Sequence, residues 1–377
     1  MADRGRFVRG RLVLEDRVTP GRLAVEDGVI VAVELDDAEA AGPLVGPGFV
    51  DVHVHGWGGH DAMGSTEDLD GMARALLRHG VTSFLPTAVT ASLAVLRDFA
   101  QRVRAWRPGA PLDGAMPLGF NLEGPFLAVQ KKGAQNPAFI RAAEEVAWAD
   151  LEPLLDGLRI MTVAPEQPGS LALIEWLSDR GIAASLGHSM ATVHQGRAGF
   201  EAGGRTTTHL FNAMIGVDHH APGLAVAALT DDAAYVELIA DGYHVHESVW
   251  PIITRTKPAD RLILVSDALS LAGTPPGPGT IGGLAVENRG DRITLAGTET
   301  LAGSVIALDS AVRNLVRSGM PLPAAAAAAS RNPLALLGVT DRGRLEVGQR
   351  ADLVVLDDDL RVTRVMRAGG EWISGAG

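Results

Sequence analysis

The stretch GPGFVDVHVHG, residues 46–56, sets His53 and His55 one residue apart at the end of an apolar run. Alternate side chains of a strand share a face, so the two imidazoles project the same way. Other histidines close similar runs: His188 in GIAASLGHS, His209 in RTTTHLFNA and His244 in YVELIADGYH. Carboxylates stand in the same kind of place, with Glu123 in LGFNLEGP, Glu166 in RIMTVAPE, Asp241 three residues before His244, and Asp267 in RLILVSDA. Neutral imidazoles and carboxylates are the ligand set of zinc, iron, cobalt or manganese. A lone histidine at such a position is more often a hydrogen-bonded core residue than a ligand. Four histidines, a glutamate and an aspartate, all at run ends, point instead to a metal centre.

For these residues to meet, the runs must be strands whose ends converge. Eight can be counted, at 48–55, 80–87, 118–125, 159–166, 181–189, 205–213, 235–244 and 261–268. The segments between them read as helices. From Glu67 to His79, Leu69, Met72, Ala73, Leu76 and Leu77 form an i, i+3, i+4, i+7, i+8 stripe. Ser65 and Asp68 are placed for a capping box, and Gly80 for a stop. SLALIEWLSDRG (170–181) repeats the logic before the fifth run. Eight strands with helical crossovers predict an α/β fold, a (β/α)8 TIM-like barrel, with its active site at the C-terminal strand ends. An open doubly wound sheet is the rival architecture, but it does not gather all eight polar ends into one ring.

Residues 6–45 and the stretch GRLEVGQRADLVVLDDDLRVTRVMRAGGEWI near the other end carry no helical period and read as short strands. They predict a small β-sandwich domain built from both termini, residues 1–46 plus 340–377, beside a barrel of residues 47–339. The alanine run 324–329 reads as a helix after the barrel.

Of 377 residues, 46% are apolar and 21% charged, which describes a globular chain with ample core. The net charge of −12 argues against nucleic acid and anionic membranes as partners. With no cysteine, disulfides and thiolate metal sites are excluded. The opening MADRGRFVRG lacks the apolar core of a signal peptide, and no apolar run reaches a membrane span of about 18 residues. The expectation is a cytoplasmic protein.

PGFVDVHVHG, FNLEGPF with KKGAQNP, VAPE, LGHS, THLFNAM, APGLA, IADGYHV, LVSDA and LAGS, in this order, resemble the N-acetylglucosamine-6-phosphate deacetylases of the amidohydrolase superfamily. The match runs from about residue 46 to beyond 340. The resemblance implies hydrolysis of the N-acetyl amide of an amino sugar to acetate and the free amine. It makes Glu123, His188 and His209 the ligands of a principal metal, and Asp267 the general acid/base. His53 and His55 would hold a second ion, with Glu123 as a bridge. The substrate contacts it implies are Ala134, Gln135, Asn212, Ala213, His220, Asp241, Gly242, Tyr243, His244, Leu301, Ala302 and Gly303. It also implies a homodimer, and the long loop from Gly124 to Pro137 would serve as a lid.

Two departures bear on the 6-phosphate. Gln135 stands where the family motif KKGxHNP has histidine, and His220-Ala221 stands where it has Arg-Glu. An arginine fork binds phosphate bidentately and is always charged, whereas histidine is mostly neutral at pH 7. Either His219, His220 or other basic residues serve the phosphate, or the substrate is an unphosphorylated N-acetyl amino sugar or related amide. Lys131 and Lys132 read as solvated. Cyclic-amide hydrolases share the histidine pair, but their bridging lysine is missing from RIMTVAPE. A catalytically silent scaffold would be expected to lose ligands, and none of those proposed is lost.

Overall fold

The computed structural model describes residues 6–36 and 42–377; residues 1–5 and 37–41 of the expected terminal domain lie outside them. The chain opens with an antiparallel meander, β1 (Arg6–Val13), β2 (Val18–Glu26) and β3 (Val29–Leu35), followed by β4 (Leu44–Pro47), which pairs in parallel with β1. Through Gly48, β4 continues into β5 (Phe49–Val54), the first barrel strand. Crowding explains the glycine: a Cβ at residue 48 would lie 2.4 Å from the Thr82 side chain.

The other barrel strands are β6 (Val81–Ala88), β7 (Phe120–Phe126), β8 (Leu158–Val163), β9 (Ala183–Leu186), β10 (Thr206–Thr207), β11 (Tyr235–Leu238) and β12 (Leu262–Leu264). All eight expected runs are present, each strand pairing in parallel with the next. Between the last and the first, the bonds Asp267 N–H to His53 O (2.9 Å) and His55 N–H to Ala268 O (2.9 Å) nearly close the ring. The crossovers are α1 (Thr66–Arg78), α2 (Leu93–Trp106), α3 (Trp148–Leu155), α4 (Ser170–Ser178), α5 (Val193–Glu201), α6 (Leu224–Leu229) and α7 (Trp250–Thr256). Helix α1 buries the stripe expected of it, and Ser65 and Asp68 make the reciprocal capping box at its start.

One insertion has no counterpart in the sequence reading. After β12 comes an antiparallel sheet of β13 (Gly277–Ile281), β14 (Leu284–Asn288), β15 (Ile293–Leu295) and β16 (Leu301–Gly303). It returns the chain to the barrel rim, where Ser304 N–H donates to Asp267 O at 2.8 Å. Gly303 fits there at φ 150°, because a Cβ would meet Asp267 O at 2.8 Å. Three helices follow: α8 (Leu308–Arg317), α9 (Leu322–Ala328), which is the expected alanine helix, and α10 (Arg331–Leu336). Leu334, Leu336 and Leu337 at and just past α10 pack with Val50, Ile160, Tyr235 and Ile263, filling the barrel floor.

The chain ends with β17 (Leu353–Leu356), β18 (Val362–Met366) and β19 (Ile373–Ser374), which complete one seven-stranded sheet ordered β19-β18-β17-β4-β1-β2-β3. Both end segments thus share one sheet with its own apolar cluster, including Leu12, Leu23, Ile30 and Leu353. No helix among the described residues is long and apolar enough to cross a membrane.

Glu15, in the β1–β2 turn, ties this sheet to the barrel floor by ion pairs to Arg331 and, at 3.0 Å, to Arg344. The Arg344 guanidinium, with Arg331, holds the Glu15 carboxyl below its ordinary value of 4.5. A depressed carboxyl pKa stabilises the fold above the unfolded value, and that contribution is lost as pH falls through the folded one. Glu15→Gln is expected to lower the thermal midpoint by about 1 °C at pH 7, since the pair is largely exposed. The gap should close as melts are repeated from pH 5 down to about 3; a gap constant with pH would count against the ion pairs.

Candidate metal centre and active-site cavity

Glu123, near the end of β7, is buried at the centre of the rim. Its Oε1 lies 2.8 Å from His188 Nε2, 2.9 Å from His209 Nε2 and 3.7 Å from His53 Nε2, and its Oε2 lies 3.2 Å from His55 Nε2. Asp267, just past β12, brings Oδ1 within 3.5 Å of His53 Nε2 and 3.2 Å of His55 Nε2. These donors form two groups sharing one carboxylate: His53, His55 and Glu123, and Glu123, His188 and His209. His188, His209 and Asp267 sit at strand ends with positive φ, at 47°, 30° and 50°. That conformation is costly for residues with a Cβ and is found where the surroundings enforce it, often at functional sites.

The outer nitrogens determine what the inner ones present. His55 Nδ1 lies 3.1 Å from Thr87 O, His188 Nδ1 2.7 Å from Lys131 O, and His53 Nδ1 3.3 Å from Glu237 Oε2. Each outer partner accepts a hydrogen bond, so each neutral ring carries its proton outside and turns a lone pair inward. His53 Nε2 and His55 Nε2 then face each other at 3.2 Å, acceptor against acceptor and both against carboxylates. Only positive charge reconciles them. Burial opposes charge on these rings, yet Glu123 for His53 and Asp267 for His55 outweigh it. His53 is held well above the usual imidazole range and His55 at about 9. Burial likewise opposes charge on Glu123 and Asp267, yet the imidazoles hold both below the ordinary carboxylate range. A divalent ion meets the same demand without protonating the ligands, so this donor set fits a metal.

The centre opens into a cavity of about 410 Å³. Its lining includes Glu123, His188, His209 and Asp267, together with Ala134, Gln135, Asn212, Ala213, His244 and Leu301 to Gly303. The loop 129–135 forms one wall and carries the half-buried Lys131 to the cavity, although that lysine reads as solvated from sequence alone. Gln135 is locked on both sides: its Nε2 donates to Glu123 Oε2 and its Oε1 accepts from Thr90 N–H at 2.7 Å. Asp241 accepts from His244 Nδ1 at 2.7 Å and so aims that ring.

Other expected residues lie elsewhere. Asp241 and Gly242 do not line the cavity, and Tyr243 turns outward to donate to Asp291 Oδ2 at 2.7 Å. His220 is exposed on the loop after β10, with its N–H bonded to Asp218 Oδ1. Glu166 accepts from Ser189 Oγ (2.7 Å) and Met190 N–H (2.6 Å), fastening the loop beyond His188 without joining the cluster. Glu237 is absent from the sequence reading; a glutamate inside the apolar run YVELIA was the available signal, because parallel barrel strands are buried on both faces. A second cavity of the same volume lies between the terminal sheet and α9, lined by Leu14, Leu35, Ala326 and Arg344, and no imidazole lines it.

A barrel whose rim gathers four histidines, a glutamate shared by two of their groups and an aspartate is an amidohydrolase architecture, and residues 44–372 match the amidohydrolase family model. The chain belongs to the amidohydrolase family. Within it, the chain is similar to the N-acetylglucosamine-6-phosphate deacetylase of Danio rerio, with 40% identity over 86% of this chain and 83% of that one. It is also similar to the N-acetylgalactosamine-6-phosphate deacetylase of Escherichia coli O157:H7, with 39% identity over 94% of this chain and 93% of that one. A variant of N-acetyl-D-glucosamine-6-phosphate deacetylase from Mycobacterium smegmatis, solved in complex with N-acetyl-D-glucosamine-6-phosphate, superposes with a TM-score of 0.89. It is 35% identical, and the match covers 98% of this chain and 99% of that one.

If the inward-facing acceptors require a cation, stripping it should destabilise the fold. The chelator-treated chain is expected to melt about 5 °C lower than the same sample resupplied with zinc, a shift typical of a ligand present far above its Kd. Identical melts would mean that no ion binds.

Proposed function

We propose that this chain is a metal-dependent deacetylase that hydrolyses N-acetylglucosamine 6-phosphate to glucosamine 6-phosphate and acetate. The observation that carries the reading is the Glu123 carboxylate, shared by two imidazole groups at one cavity that Asp267 also lines. The activities named for the similar proteins support the phosphorylated sugar over the unphosphorylated one, and the intact donor set speaks against a silent scaffold.

In this reading Glu123, His188 and His209 would hold the principal ion, and His53 and His55, with Glu123, would hold a second. A bound divalent ion lowers the pKa of its water toward 7 and polarises the amide carbonyl. Asp267, ionised at neutral pH, takes the proton from the attacking water at its carboxylate and then gives it to the departing nitrogen, which leaves as an amine. Burial opposes charge on His244, yet Asp241 holds its pKa above the ordinary imidazole value, so the imidazolium offers its Nε2–H to the carbonyl oxygen or a sugar hydroxyl. Ala134, Asn212, Ala213 and Leu301 to Gly303 form the walls that orient the sugar, while Gln135 steadies Glu123. Lys131 lines the same cavity and supplies positive charge for the 6-phosphate. His220, Gly242 and Tyr243 would reach a substrate only at the outer margin or across a dimer interface. A cytoplasmic homodimer completes the reading.

Asp267→Asn removes the proton carrier but not the histidine ligands. It is expected to cut kcat about 10³-fold while metal content stays unchanged; near-normal turnover would refute the role given to Asp267. The phosphate reading is tested by acetate release from N-acetylglucosamine with and without its 6-phosphate, run beside the galactosamine epimer. A preference in kcat/KM above about tenfold (1.4 kcal/mol) for the phosphorylated gluco sugar is expected. A smaller preference, or a higher rate with the galacto sugar, would overturn that part.

A further inference from the structure

Strand β11 carries a carboxylate that the chemistry above does not use. Glu237 is 0% exposed between Val236 and Leu238 and does not line the active-site cavity, so it cannot touch substrate. Its Oε2 lies 3.3 Å from His53 Nδ1 and accepts from the His209 N–H at 3.2 Å. Its Oε1 has no hydrogen-bond partner among the described residues. A carboxyl group this deeply buried and half satisfied is costly to keep unless something nearby compensates it.

Its place in the site is particular. The outer nitrogens of His55 and His188 face neutral backbone carbonyls, those of Thr87 and Lys131, whereas His53 faces a full carboxylate. A carboxylate behind a ligand imidazole fixes the tautomer, orients the ring and makes the inward nitrogen a stronger donor to a metal. Glu237 also spans both ligand groups, holding the ring of His53 in one and the backbone of His209 in the other. Charge counting agrees. Glu123, Asp267 and Glu237 bring three carboxyl groups to one buried shell, a setting suited to two divalent ions rather than one.

We infer that Glu237 is a positioning residue that locks the His53 tautomer and supplies the buried charge with which the chain retains a second divalent ion at His53, His55 and Glu123. The inference rests on the two-ion reading above and deepens it, by naming the residue that makes the second position tight.

The test is calorimetric titration of the metal-stripped full chain with zinc. The unaltered chain is expected to bind two ions. Glu237→Gln, which keeps the shape and removes the charge, should bind the first within threefold of normal affinity and the second about 10- to 100-fold more weakly. Glu237→Asp keeps the charge but withdraws it by one methylene, and should weaken the second ion less than Gln does; it carries the test should the Gln variant fail to fold. Equal affinities in variant and unaltered chain, equal weakening of both ions, or uptake of one ion by the unaltered chain would each overturn the inference. Acetate release is followed in the same samples. Two ions bound with no acetate released would sink the deacetylase reading and leave Glu237 standing, whereas acetate released with identical isotherms would sink only Glu237.

Discussion

Both oxygens of Glu123 are met by imidazole nitrogens contributed from β5, from the loop after β9 and from the end of β10, and the carboxylate is buried. Such a convergence is repulsive or forces protonation until positive charge enters it, so the rest of the molecule has to hold the donors together against their own electrostatics. The barrel does this by nearly closing. Asp267 and Ala268, just past β12, hydrogen-bond across to His53 and His55 at the end of β5, so Asp267 and the histidine pair come from opposite ends of the barrel sequence and still share a rim. Beneath the rim, Thr208 contacts Thr162 at 2.9 Å and Ser185 at 2.6 Å, while Asn121 donates to Val52 O at 2.9 Å. This hydroxyl and amide layer stiffens the strand ends between the metal centre and the apolar floor.

Much of this was legible because each level used a distinct signal. Barrel strands are buried on both faces, so they read as short apolar runs, and their polar last residues stood out by type. The α1 segment was legible to its cap, because Ser65, Asp68 and Gly80 are local signals that need no tertiary context. The sheet from Gly277 to Gly303 was not. Its strands are short and partly exposed, and segments such as LAVEN carry too few apolar residues to form a run.

Side-chain direction was the other limit. Tyr243 belongs to the same IADGYH motif as His244, yet it turns away because Asp291, 48 residues on, accepts its hydroxyl. His220 is held outward by a local turn on Asp218, a geometry the motif alone does not encode. Glu237 is hidden in the sequence for the opposite reason. Its partners lie 184 and 28 residues away, and only the closed barrel brings them beside it.

The passage of β4 into β5 has a consequence for how the protein is made. On a ribosome, residues 44–54 emerge early, but β4 pairs with Leu353–Leu356 and the floor beneath β5 is filled by α10. Strand β5 pairs with β6 early, but the partner of the adjoining β4 and the floor beneath β5 wait through nearly three hundred residues of synthesis. Such distant pairing makes folding slow and leaves an apolar edge open in the interval. A nascent chain of this design depends on residues 331–356 to shelter residues 44–54.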